Sequence, residues 1–115
     1  MRYVLLFCLT TALFAQNSDL TKALQSPRQR IDAIDGQIIA LLNERAQVVR
    51  EVGRIKKQFH APASAPGREE QVVRRAASQA RAPLTPAAVA AIYRTILHEM
   101  SSMEATEMEK APKAR

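Results

Sequence analysis

Cysteine and aromatic residues are scarce in this chain of 115 residues. Cys8 is the single cysteine, there is no tryptophan, and aromatic side chains make up 4% of the residues. One thiol cannot form a disulfide bond within the chain, so covalent cross-links do not hold the fold together. The shortage of aromatic rings argues against single-stranded nucleic acid as a ligand, because such sites stack bases on aromatic side chains.

Basic residues outnumber acidic ones, but they form no continuous block. The chain has 17 Lys and Arg against 11 Asp and Glu, a formal net charge of +6. A nucleic-acid patch usually contains a run of five to eight basic residues, whereas a dispersed excess of charge suits a small anion. A glycine-rich phosphate loop and the Cys and His spacings of zinc sites are also absent from the sequence, so we expect neither a cofactor nor a metal.

The N-terminus has the pattern of a secretory signal peptide. A charged start, Met1–Tyr3, precedes an apolar run from Val4 to Phe14, and Ala15–Gln16 is a candidate cleavage point. We therefore expect residues 1–15 to be removed and the protein to be exported, either to the periplasm or out of the cell. The apolar run is shorter than the roughly 20 residues of a membrane span. An uncleaved anchor or a buried N-terminal helix is the alternative.

A long amphipathic helix is predicted from about residue 28 to residue 58. Ser26 and Pro27 resemble an N-cap and a first helical position, and Gln29 completes a capping box. Apolar residues then recur at steps of three and four for about seven turns, which indicates one buried face. Gly36 and Gly53 interrupt this pattern, and we interpret both as points of close packing.

Two shorter helices are predicted after a proline-containing loop at residues 59–67. One covers about residues 68–79, and the other starts at Thr85–Pro86 and ends near Glu104. Many aliphatic and few aromatic residues favour an all-α domain over residues 26–104. Residues 16–25 are a polar lead-in, either frayed or helical, and the charged residues 105–115 are predicted to be disordered. A core this small favours oligomerisation.

Charged residues recur at characteristic positions between residues 28 and 69. The relevant stretches are Arg28-Gln-Arg-Ile-Asp-Ala-Ile-Asp35, Glu44-Arg45, Glu51-Val-Gly-Arg-Ile-Lys56 and Pro66-Gly-Arg-Glu-Glu70. Together with the order of one long, one short and one medium helix, this pattern resembles the all-helical chorismate mutases. The resemblance covers about residues 26–104 and is densest in the first helix.

The resemblance implies both an architecture and a reaction. In that family, two three-helix protomers intertwine their long helices into a six-helix dimer with two active sites. The enzymes convert chorismate to prephenate by an intramolecular [3,3] rearrangement, which requires no nucleophile, metal or proton shuttle. The protein must instead hold a dicarboxylate in its reactive conformation and stabilise charge on the breaking ether oxygen.

Individual roles follow from the resemblance. Arg28 would enter the partner's site, and Arg45 would hold a carboxylate within its own site. Lys56 would donate to the ether oxygen, Arg68 would add positive potential, and Glu69 would accept from the ring hydroxyl. Helical geometry agrees in part, because a separation of eleven residues places Arg45 and Lys56 within about 20° of the same face.

The sequence departs from the family pattern at three positions. Ala65 replaces a common acidic residue, Met100 falls where a serine is common, and Glu104 falls where many members have a glutamine that donates to the ether oxygen. A carboxylate cannot donate a hydrogen bond, so Glu104 would serve only when protonated. We expect activity to decline as pH rises.

Two other functions remain open from the sequence. An isochorismate-pyruvate lyase resembles the same fold and also needs arginines for its carboxylates and a lysine near the ether oxygen. A helical dimerisation module without activity would bind neither substrate, and it would tolerate replacement of Arg45 by leucine. Assays of chorismate and isochorismate distinguish these possibilities.

Overall fold

A computed structural model describes the backbone of residues 2–110 and the side chains of residues 16–110. Within that range the chain forms three helices and no strand, which confirms the predicted all-α fold. The helices are α1 (Arg2–Gln58), α2 (Pro66–Ala77) and α3 (Pro86–Glu109).

Helix α1 begins far before the predicted position. The backbone is helical from Arg2, and Pro27 lies inside the helix, so the predicted helix start at Ser26–Pro27 is wrong. The polar lead-in at residues 16–25 is helical, as one of the two predicted alternatives required. Proline has a φ angle compatible with a helix, but it lacks the N–H donor and its ring clashes with the carbonyl group four residues before it. A long helix can contain it at a cost of about 3 kcal/mol.

The chain divides into two compact units. The first extends to Leu42, and the second begins at Asn43. In the first unit, the described residues form the N-terminal part of α1, with its isoleucine side chains largely exposed. The second unit contains the end of α1 together with α2 and α3. Among the described residues, no helix is long and apolar enough to cross a membrane.

Helix α1 ends in a Schellman motif. The Ala61 N–H donates to the Lys56 carbonyl at 2.8 Å, and the His60 N–H donates to the Lys57 carbonyl at 3.2 Å. His60 has a φ of 52°, in the left-handed region that glycine occupies most easily. This turn reverses the chain within a few residues of Lys56 and leads it into α2.

The start of α3 follows the sequence signals. The Thr85 hydroxyl accepts a hydrogen bond from the Ala88 N–H at 3.1 Å, and Pro86 occupies the first turn, as predicted. Helix α2 starts at Pro66, two residues before its predicted start, with no side-chain cap from Ala65. Helices α2 and α3 pack together around the small apolar core of the second unit, formed by Val73, Val89 and Met100.

Helix α3 extends past its predicted end at Glu104. It continues to Glu109, so the prediction of disorder is wrong for residues 105–109. Glu107 is 8% exposed and pairs with cationic side chains. Those ion pairs stabilise a segment that lacks an apolar face. Residues 111–115 lie outside the described part of the chain.

Gly53 is a point of close packing, as the sequence predicted. A Cβ atom at Gly53 would lie 3.0 Å from the Glu104 carbonyl oxygen and 3.3 Å from the Glu107 Cβ. Glycine therefore allows α1 and α3 to approach each other. The same prediction for Gly36 is not supported within the single chain, because a Cβ atom there would meet no other atom within 4 Å.

Candidate active site

The second unit contains a cavity of about 370 Å³ between α1, α2 and α3. Five of the six residues predicted from the sequence line it: Arg45, Lys56, Arg68, Glu69 and Glu104. Its remaining surface is largely aliphatic, with Val48, Val52 and Leu97 among the lining residues. Groups that are distant in sequence thus meet in one concave, partly apolar site, which is the usual form of a small-molecule site.

Lys56 lies at the centre of the polar contacts. Its ammonium group donates hydrogen bonds to the Glu104 Oε1 on α3 and to the Ala63 carbonyl oxygen, the latter at 2.9 Å. The side chains of Lys56 and Glu104 are 22% and 14% exposed. Burial of this degree strengthens the attraction between opposite charges and restricts where the ammonium group can lie.

Arg45 contacts α3 through Met100. Its Nη1 donates to the Met100 Sδ at 2.7 Å, and Met100 is buried. A thioether sulfur is a weak acceptor, so the guanidinium group keeps most of its capacity to bind an anion. Arg45 therefore presents a carboxylate-binding group on the same cavity wall as Lys56.

Helix α2 contributes one cation and one carboxylate. Arg68 is exposed and donates to the Gln71 Oε1 at 2.8 Å, one turn later in the same helix. Glu69 is half-buried, and its Oε1 accepts a hydrogen bond from the Ser101 hydroxyl at 3.1 Å. Ser101 thereby restrains the Glu69 carboxylate while leaving its second oxygen available.

Arg28 lies outside this set. It belongs to the first unit, its side chain is exposed, and it is not a lining residue of the cavity. The structure of one chain therefore provides the cavity without the sixth predicted residue.

Three polar partners in the site were not predicted from the sequence: Ala63, Met100 as a partner of Arg45, and Ser101 as a partner of Glu69. The Ala63 contact is made by a backbone carbonyl, which leaves no side-chain pattern to detect. Ser101 lies next to Met100 and three residues before Glu104. The predicted placement of Met100 and Glu104 on the third helix was therefore the signal that could have indicated Ser101.

The arrangement suits a small dianion. Three cationic side chains, from Arg45, Lys56 and Arg68, surround the cavity, and two carboxylates can accept or, when protonated, donate a hydrogen bond. Within the part of the chain that the structure describes, no three His, Cys, Asp or Glu side chains come together as metal ligands. Binding and electrostatic stabilisation are the functions that these groups can supply directly.

Comparison with known sequences places the chain in a family. Residues 27–105, more than half of the chain, match the sequence profile of the chorismate mutase type II family. The chain belongs to this family. All of the cavity residues described above fall within the matched region, and so does Arg28.

A curated relative contains the matching region as one part of a longer protein. The bifunctional chorismate mutase/prephenate dehydratase of Neisseria gonorrhoeae is 36% identical over 77 residues. The match covers 67% of this chain and 21% of that protein. The chain thus spans about a fifth of the length of this relative.

Solved structures of chorismate mutases share the fold. Form II of the enzyme from Thermus thermophilus has a TM-score of 0.69 at 24% identity, covering 71% of this chain and 93% of that one. The enzyme from Helicobacter pylori in complex with prephenate has a TM-score of 0.71 at 20% identity, covering 79% of this chain and 99% of that one. At these identities the likeness establishes the fold, and the function must be argued from the site.

Proposed function

We propose that this protein is a chorismate mutase that rearranges chorismate to prephenate. The observation that carries the proposal is the position of Lys56, paired with Glu104 in a cavity also lined by Arg45 and Arg68. Membership of the family and the prephenate complex of the Helicobacter pylori relative support this choice of substrate.

The reaction needs a folded substrate and stabilisation of developing negative charge. Arg45 and Arg68 bind the two carboxylates, for which guanidinium groups are well suited because they bind in a bidentate manner and stay charged. Lys56 donates to the ether oxygen as its bond to carbon breaks. Glu69, restrained by Ser101, accepts a hydrogen bond from the ring hydroxyl.

Glu104 orients the Lys56 ammonium through their hydrogen bond, in which the carboxylate is the acceptor. Lys56 is thereby held where it can donate to the ether oxygen that gains charge.

A second copy of the chain completes the site in this proposal. Ile31, Ile34, Ile38 and Leu41 form an apolar stripe on α1 that is 49–64% exposed in the single chain. Burying such a stripe against a partner helix is favourable by about 25 cal/mol per Å². Arg28, next to this stripe, would enter the cavity of the partner. The assembly is then a homodimer of six helices.

Turnover of purified protein tests the activity. We expect the protein to convert chorismate to prephenate. For the assay, added acid converts the prephenate to phenylpyruvate, which is measured by its absorbance. Isochorismate provides the second arm of the assay. Release of pyruvate from isochorismate, without turnover of chorismate, would replace the proposed function with lyase activity.

The inactive dimerisation module is tested with the same protein. It predicts that calorimetry detects no binding of chorismate or prephenate. It also predicts that Arg45→Leu is at least as stable as the wild type, since leucine removes a half-buried charge. The mutase proposal requires the opposite result for binding, with prephenate affinity lost in Arg45→Leu and retained in the surface variant Arg74→Leu.

We also propose export, based on the signal-like pattern of residues 1–15. The charged start and short apolar run of this segment support it. Fractionation of the native organism and N-terminal sequencing of the recovered protein provide the test. A mature chain starting near Gln16 in the periplasm or medium is expected, whereas a cytoplasmic chain that retains Arg2 would contradict export.

A further inference from the structure

Glu107 lies outside the cavity but occupies a buried, highly charged position on α3. Its carboxylate accepts from the Arg50 Nε at 3.0 Å, the Arg54 Nη1 at 3.4 Å and the Lys110 Nζ at 2.7 Å. We call these four residues the Glu107 cluster. The hydrogen bonds from Lys110 and then Arg50 are the largest causes that lower the pKa of Glu107 to about 2, so it remains ionised near neutral pH.

The Glu107 cluster connects two helices. Arg50 and Arg54 belong to α1, whereas Glu107 belongs to the last turns of α3. Lys57 on α1 adds a hydrogen bond to the Lys110 carbonyl oxygen just after α3 ends. The end of α3 is therefore attached to α1 by several charged contacts.

Gly53 lies between the Glu107 cluster and the cavity. A Cβ atom at this position would lie 3.0 Å from the Glu104 carbonyl oxygen and 3.3 Å from the Glu107 Cβ, so α1 and α3 approach each other closely here. On α3, Glu104 and Glu107 are three residues apart and therefore neighbours on one face. On α1, Gly53 and Lys56 have the same spacing.

Two parallel contacts thus cross the same helix pair one turn apart. One is the Glu107 cluster, and the other is the pair of Lys56 and Glu104. Because α3 ends at Glu109, the Glu107 cluster and the Lys57 contact to Lys110 are the attachments that keep this end of the helix from moving away from α1. Such movement would carry the Glu104 carboxylate away from the Lys56 ammonium.

On the basis of the proposed mutase activity, we propose that Glu107 is a positioning residue that holds Glu104 against Lys56. Glu107 does not contact the substrate. It acts through its neighbour on α3, and Arg50 is its main partner on α1. Small displacements of a reacting group can reduce a rate by as much as about a hundredfold, so a remote contact of this kind can set the rate.

The first test measures the Lys56–Glu104 pair without using turnover. Lys56 is acetylated with a limiting amount of acetic anhydride, and the modified peptide is quantified by mass spectrometry. The rate of labelling reports how readily the Lys56 amine is released from its contact with Glu104. We expect the rate of labelling to rise several-fold in Glu107→Gln and Arg50→Gln, as it does in Glu104→Ala. Glu109→Gln, an exposed change in the same turn of α3, is the matched control and should label at the wild-type rate.

The second test is a double-mutant cycle in kcat/KM. Glu107→Gln should lower kcat/KM by about tenfold to a hundredfold, mostly through kcat. In the Glu104→Ala background the same substitution should have little further effect, because its target is absent. A purely structural role predicts equal losses in both backgrounds.

The two tests separate the failure of each idea. Wild-type labelling of Lys56 in both Glu107→Gln and Arg50→Gln, with the far-ultraviolet circular dichroism unchanged, would overturn the positioning role. Additive losses of kcat/KM in the double-mutant cycle would also overturn the positioning role. Lack of chorismate turnover by the wild type would instead reject the proposed activity, and the labelling experiment would still decide whether Glu107 holds the pair together.

Discussion

The Lys56 ammonium on α1 donates a hydrogen bond to the Glu104 carboxylate on α3, inside a cavity whose other cations are Arg45 and Arg68. The two residues are 48 positions apart in the sequence, and both are largely shielded from solvent. A substrate that enters the cavity therefore meets a lysine that is already oriented, and its own carboxylates find arginines without competing ion pairs among the described contacts.

The cationic residues of the cavity are expected to account for most of the rate. Arg45→Ala and Lys56→Ala should each lower kcat/KM by about 10²–10³-fold, because loss of one charge-stabilising donor costs about 2.7–4 kcal/mol. Arg74→Ala, an exposed arginine of α2 outside the cavity, is the control. Steady-state kinetics with circular dichroism checks the prediction, and near-normal turnover in both cavity variants would contradict it.

Glu104 should contribute to the rate by orienting Lys56 through their hydrogen bond. Glu104→Ala removes the acceptor that orients Lys56 and should lower kcat, whereas Glu104→Gln retains an amide oxygen that can accept from Lys56 and should keep part of the activity. Steady-state measurement of kcat for both variants provides the check. A kcat of Glu104→Ala equal to that of the wild type would place Glu104 outside the reaction.

Glu107 should stabilise the fold in a way that is lost in acid. Its pKa is lowered from the ordinary value of 4.5 to about 2 by hydrogen bonds from Lys110 and Arg50. The folded state thus binds this proton more weakly than the unfolded state, so the stabilisation is complete above pH 4.5 and decreases as pH falls towards 2. Thermal unfolding should therefore give a Tm difference between wild type and Glu107→Gln that shrinks over this range.

Glu109→Gln is the control for the predicted pH dependence of the Tm difference. Glu109→Gln removes a carboxylate two residues away that is exposed and outside the described ion pairs. Its Tm difference from the wild type should be small at every pH. A difference for Glu107→Gln that stays constant from pH 4.5 to 2 would show that its charge does not contribute.

Subunit sharing predicts complementation between inactive variants. If Arg28 enters the partner's cavity, each active site takes Arg45 from one chain and Arg28 from the other. Arg28→Ala and Arg45→Ala then inactivate a site through different chains. After chain exchange, heterodimers should contain one site with both substitutions and one intact site, so activity should recover. Native mass spectrometry establishes that heterodimers have formed. Their formation without any recovery of activity would indicate that each chain builds its site alone.

Replacement of His60 by glycine should stabilise the turn after α1. His60 has a φ of 52° in the Schellman motif, and the left-handed conformation costs a non-glycine residue roughly 1–2 kcal/mol. His60→Gly should therefore raise the free energy of unfolding by about 1 kcal/mol, measured by urea denaturation, with kcat unchanged. His60→Val should lower it, since a β-branched side chain fits this region poorly.

The resemblance to the all-helical chorismate mutases supplied the six candidate site residues, and five of them line the cavity. Helical geometry supports one part of that set, because Arg45 and Lys56 share one face. The proline before Arg68 and Glu69 favours a helix start, and Glu104 comes directly after the apolar pattern predicted for the third helix. Local rules of this kind act over a few residues, so they survive in the folded chain wherever the helices form.

The sequence placed the ends of the helices less well. Pro27 and the preceding Ser26 carry the signals of a helix start, but these local preferences are worth only a few kcal/mol and α1 continues through them. The segment after Glu104 lacks an apolar face, which is why it was predicted to be disordered. Its helix is stabilised instead by cations of α1 that pair with Glu107.

The sequence alone thus determined the all-α class, the order of the helices and the cationic character of the site, since each depends on periodicity and composition within short windows. Only the tertiary structure decided that Gly53 lets α1 approach α3, that Met100 contacts Arg45, and that Glu107 is buried. These relationships join residues that are far apart in the sequence. They depend on how the side chains of two helices pack, which no local pattern specifies.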